Sequence, residues 1–134
     1  MRNLSRLQIL YLTNAVIIAF YWPLSHWFYP DLYHQLLGFQ AGGYDQDMVR
    51  IIGTIGTLPV IGFIYAAYRP QTARAFVVAY TVWCFLMSAT YFVVIFAGNF
   101  PKGELFNAIL LIVMGGLFIF GLATQPEFDP SLSE

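Results

Sequence analysis

Four stretches of this chain are each close to the roughly 20 helical residues needed to cross a hydrocarbon core. They run from Leu7 to Phe28, Met48 to Tyr68, Ala75 to Ala97 and Leu105 to Thr124. Each is apolar all round, with none of the alternation of a barrel strand, and a backbone in lipid must satisfy its own hydrogen bonds. The runs therefore predict four membrane-spanning helices. Composition agrees, since 59% of the residues are hydrophobic and 10% charged, against roughly 25% charged in soluble domains. Arg2 and Arg6 precede the first run in the manner of a signal peptide, but the run exceeds a signal's apolar core of roughly 7–15 residues, so it reads as a retained span.

The connections set the topology. "RPQTAR" and "GNFPKGE" are too short for anything but antiparallel neighbours. The expected fold is an all-α, antiparallel, integral membrane four-helix bundle over residues 1–125, followed by a polar, mobile tail over residues 126–134. The first connection is longer. In "PDLYHQLLGF", Pro30 and Asp31 are helix-start residues, Gly38 is a C-terminal stop, and Leu32, Leu36 and Phe39 recur at helical spacing, which predicts a short helix lying in the interface. Pro23 and Pro59 fall inside spans, where each removes a backbone hydrogen bond and bends its helix. Arg2, Arg6, Arg69 and Arg74 share one side of the bundle, whereas Arg50 and Lys102 lie on the other. The positive-inside bias then puts both termini in the cytoplasm of a multi-pass protein.

Several functions are disfavoured by what the chain contains. Six cations against seven anions leave no basic surface, which speaks against nucleic acid as a partner. The lone Cys84 permits neither an intramolecular disulfide nor a thiolate metal set. The second, third and fourth spans carry no Asp, Glu, Lys, Arg or His apart from Arg50 at an edge, so proton pumping and secondary transport are disfavoured and no catalytic residue is assigned.

The chemistry that remains clusters in "HWFYPDLYHQLLGFQAGGYDQDMVR", residues His26 to Arg50. Asp47 and Arg50 lie three apart on one helical face, which reads either as an ion pair at a capped helix entry or as a free guanidinium hook for a lipid phosphate or quinone carbonyl. His26 and His34 are eight residues apart across Pro30, no metal-ligand spacing, so no metal is assigned. With Trp22 and Tyr44 they complete the expected ligand-binding set of Arg50, His26, His34, Trp22 and Tyr44. Tyr11, Asn14, Tyr21 and Ser25 on the first helix, Thr81, Cys84, Ser88 and Tyr91 on the third, and Asn107 on the fourth are mildly polar. They suit either bonds between helices or polar hooks in an aromatic-lined cavity. Gly53 and Gly56, and Gly115 and Gly116, are expected to be helix-packing positions.

The order of features, with "LLGF" in the outer segment, "MVRIIGTIGTLPVIGFIYAAYRP" after it and "AR" before the third span, resembles the DoxX-like group of small bacterial four-helix membrane proteins. The likeness is one of layout over about two-thirds of the chain. Within it, Arg50 and Gly53 of "RIIG" match a recurrent position. The resemblance implies a membrane component of a quinone-linked redox system in a bacterial inner membrane, with quinone or lipid as its cofactor or ligand. The chain contains no haem, flavin or iron–sulfur motif of its own. The residues themselves suggest a non-enzymatic accessory or lipid-binding subunit, working with membrane lipid, a larger membrane complex or a second copy of itself. The emopamil-binding and sterol-isomerase proteins share a four-helix membrane architecture but use histidine and carboxylates within the bundle, and this sequence is expected to have neither there.

Overall fold

Ser5 starts the first helix with a reciprocal cap: its hydroxyl accepts from the Gln8 amide at 3.2 Å while the Gln8 side chain accepts from the Ser5 amide at 2.9 Å. The computed structural model describes residues 5–40 and 42–123. The expected tail over residues 126–134 lies outside the described residues, as does Arg2. Helix α1 (Arg6–Ala19) gives way to one wide turn of π-helix at Phe20–Leu24, then resumes as α2 (Ser25–Phe28). The cause is Pro23, which has no N–H to offer the carbonyl one turn back, so the helix widens there without breaking.

Tyr29, at φ −137°, turns the chain into α3 (Pro30–Leu36), which ends where Gly38 takes φ +93°. Asp45 caps α4 (Gln46–Ile55) by accepting from the amides of Asp47 and Met48 at 2.9 and 3.2 Å. Helix α4 is separated from α5 (Thr57–Tyr68) at Gly56, one turn before Pro59. Helix α6 (Arg74–Phe96) is unbroken. A 3₁₀ turn at Lys102–Glu104 leads into α7 (Leu105–Ala123). The described residues are helices and turns with no strand, and four helical stretches are long and apolar enough to cross a membrane: Arg6–Phe28, Gln46–Tyr68, Arg74–Phe96 and Lys102–Ala123. This is the build of a multi-pass membrane protein. The side chains turned outward are themselves apolar, among them Phe20, Ile61, Val93 and Phe120.

Helix α1 packs along α5, and α6 along α7. Between them, near the α1 N-terminus, the interior is solid: Phe63 stacks on Phe118 at 4.9 Å, Tyr80 meets Phe63 edge-on at 4.8 Å, and Tyr11 lies against both Phe63 and Phe118. Close approach elsewhere depends on glycine. A Cβ added at Gly53 would lie 2.6 Å from the His26 Cβ, one at Gly56 2.8 Å from the Trp22 ring, and one at Gly115 2.9 Å from the Phe85 ring. Gly116 departs from the expectation. It is exposed with open space where a Cβ would go, because one residue of helix turns it about 100° away from the face that Gly115 presents to α6.

Candidate ligand cavity

Toward the end of the bundle that carries the first connection, the packed interior opens into a cavity of about 170 Å³. The lining runs in one direction on three helices, from Ile17 to His26 on the first, from Tyr80 to Tyr91 on α6 and from Met114 back to Asn107 on α7. The π turn at Pro23 aims Tyr21 and Trp22 at this space. Trp22 stacks on Trp83 at 5.6 Å with the rings 9° from parallel, and Tyr80 packs 5.1 Å from Trp83. Ile17, Ile18, Ile52, Met87, Leu110 and Leu111 make the rest of the apolar wall.

The outer end is polar. The Tyr21 hydroxyl donates to the Asn107 side-chain oxygen, and the Asn107 amide donates to the Glu104 carboxyl and, at 3.4 Å, to the Tyr33 hydroxyl. Three separate elements thus meet at one carboxamide. Burial pushes the Tyr33 phenol well above its ordinary range, so it stays protonated. His26, which is 8% exposed, packs 4.6 Å from the Tyr33 ring and places Nδ1 3.0 Å from the Ser25 hydroxyl.

The five expected ligand residues separate here. Trp22 and His26 line the cavity. His34 stands behind His26 with ring centroids 5.6 Å apart, stacks on Tyr44 at 4.2 Å, and has Nδ1 2.8 Å from the Pro30 carbonyl. Tyr44 clasps the connection: its hydroxyl donates to Asp31 at 2.6 Å, and the Gln46 amide donates to the same carboxylate at 2.9 and 3.0 Å. Desolvation and the Asp31 carboxylate push Tyr44 up to about 12, while these hydrogen bonds hold Asp31 below the usual carboxylate range.

Arg50 is the correction. It is not part of the cavity wall but pairs with Asp47 at 2.9 Å, with side-chain exposures of 40% and 87%. The three-residue spacing that brought Asp47 onto its face supplies the guanidinium with a local partner before any ligand does.

Glu104 is the residue that sequence reasoning missed. It precedes the fourth apolar run and reads as part of a solvated loop, yet it is 4% exposed. Gly103 makes that possible, since a Cβ there would run into the Leu37 carbonyl; without one, the 3₁₀ turn tucks beneath α3 and carries Glu104 inside. The expectation that the bundle interior holds neither carboxylate nor histidine is therefore overturned, by Glu104 and by the buried His26. The signal in the sequence was the three-residue spacing of Glu104 and Asn107, a helical neighbour pair at a helix start. Among the described residues, no three His, Cys, Asp or Glu side chains come together as a metal site.

Comparison with protein-family models, with curated proteins and with solved structures found no match for this chain.

Proposed function

We propose that this protein binds a small hydrophobic ligand within the membrane, in the cavity between the four helices, as a non-enzymatic accessory or ligand-binding subunit. One observation carries the reading: an apolar, aromatic-walled hollow of about 170 Å³ ends in a small set of converging polar groups, Tyr21, Tyr33, Asn107 and His26. That is the usual form of a small-molecule site. The volume slightly exceeds the roughly 150 Å³ of a protein cavity that admits benzene, so a single ring or a short piece of lipid or quinone headgroup is the scale of the occupant. Among the described residues no Lys or Arg lines the space, which favours a neutral group over a phosphate.

Native mass spectrometry in mild detergent tests this. The wild-type chain is expected to retain a lipid- or quinone-class molecule, and Met87→Trp to lose it, because Met87 lies on the cavity wall outside the packed core cluster and has room to grow inward. Arg50→Gln is expected to retain the molecule and to change stability by only about 0–1 kcal/mol, as an exposed ion pair should. A wild-type chain that carries nothing, or a Met87→Trp variant that carries the molecule unchanged, would sink the proposal.

The quinone-linked redox reading, supported by the DoxX-like layout, is the second proposal. It draws on the polar end of the cavity, where tyrosine and histidine could meet a quinone ring, and it needs an electron-carrying partner. For either reading we place both termini on the cytoplasmic side, from the excess of arginine on the side of Arg6, Arg69 and Arg74, and the DoxX-like layout supports a bacterial inner membrane. A cysteine introduced at Gln71 should then label only from the cytoplasm and one at Tyr44 only from outside; the reverse pattern would invert the orientation.

A further inference from the structure

The hydrogen bonds around Ser25 and His26 decide which atom the histidine offers to the cavity. The Ser25 hydroxyl lies 2.6 Å from the Tyr21 carbonyl and 3.0 Å from the Trp22 carbonyl, two acceptors of its own helix, so its single proton is committed to the backbone. Its oxygen is then left to accept, and we assign the 3.0 Å contact to His26 Nδ1 as an N–H donated by the imidazole. With the proton of the neutral ring on Nδ1, Nε2 carries a lone pair. It has no hydrogen-bond partner among the described residues, and the ring lines the cavity. Tyr21, Tyr33 and Asn107 are bonded to one another or to Glu104. Tyr91 also lies on the wall, and its hydroxyl has no hydrogen-bond partner among the described residues.

We infer that the cavity selects a ligand bearing a hydroxyl, an apolar alcohol or a phenol such as a quinol ring, whose O–H donates to His26 Nε2. This deepens the ligand-binding reading above and rests on it. A hydroxyl satisfies the imidazole lone pair and leaves its own oxygen free to accept from a donor such as Tyr91. A ketone, an ether or an oxidised quinone has no proton to give, and so buries the Nε2 lone pair unmet. A site built around a buried hydrogen-bonding group discriminates against analogues that cannot reach it, because the unpaired group is then costly.

Four compounds sharing one single-ring skeleton suit the cavity's size: thymol, thymol methyl ether, thymoquinone and p-cymene. Calorimetric titration of the intact protein in detergent is expected to show thymol binding about fivefold to tenfold tighter than its methyl ether or thymoquinone, the worth of one hydrogen bond. Thymol should also shift the nitrogen resonance of His26 Nε2, whereas p-cymene should leave it in place. His26→Phe, which keeps a ring there, should bind thymol and its ether alike, and the wild-type series stands without that variant if it fails to fold. Equal wild-type affinity for thymol, ether and p-cymene, or a preference for thymoquinone, overturns the hydroxyl inference and leaves the cavity reading intact. If none of the four binds, both are overturned.

Discussion

Replacing Asn107 by Leu is expected to cost about 3 kcal/mol of stability, because the leucine leaves the buried Glu104 carboxyl without its donor and the Tyr21 hydroxyl without its acceptor at once. Glu104→Gln should be far milder, within about 1 kcal/mol, since the new carboxamide still presents an oxygen to the Asn107 amide. The pair can be tested as a cycle in detergent unfolding. Asn107→Leu combined with Glu104→Leu should cost well under the sum of the two single changes, because the first substitution has already removed the interaction that the second would break. Strict additivity would mean that the two side chains do not work together. Ligand retention should fall in parallel, as Asn107 also anchors Tyr33, the residue through which α3 closes the outer end of the cavity.

The second large effect is expected at Gly103. A Cβ at this position would meet the Leu37 carbonyl oxygen and the backbone around it, and backbone, unlike a flexible side-chain tip, has little room to give. Gly103→Val is expected to destabilise by about 3 kcal/mol, at the upper end of the usual cost of overpacking. It should also loosen α3 from α7 and open the cavity to the outer side. Gly116→Val is the matched control. With open space around that position, the change should stay within about 0.5 kcal/mol. If Gly116→Val proved as damaging as Gly103→Val, a second copy of the chain or a partner helix would have to be packed on that face, which crosslinking in native membranes would reveal.

The two neighbouring glycines of α7 show how far sequence carries. Gly115 and Gly116 are adjacent and identical in type, so composition marks both as packing positions. Only the rotation of α7 separates the one against Phe85 from the one facing outward. Arg50 and Glu104 show the same limit for charge. For Arg50 the spacing to Asp47 left an ion pair and a ligand hook both open, and Glu104 was only the end of a short connection; the structure has Arg50 in the exposed pair and Glu104 inside. Trp22 and His26, at the end of an apolar run where a proline distorts the helix, stood out in the sequence and line the cavity, whereas Tyr80, Trp83 and Met87 look like ordinary span residues until the opposing helices are in place.

The sequence by itself determined that the chain is helical, that four of its stretches are long and apolar enough to cross a membrane, and where the caps and interruptions fall. These follow from local physics: apolar run length, the missing proline N–H, and the side chains of Ser5 and Asp45 that cap helix starts. Tertiary structure decided that one half of the bundle is filled by Tyr11, Phe63, Tyr80 and Phe118 while the other half is hollow, and that Glu104 belongs to the interior. Those outcomes depend on the relative rotation and offset of helices far apart in sequence. A helix that is apolar on every side carries no stripe from which that rotation can be read.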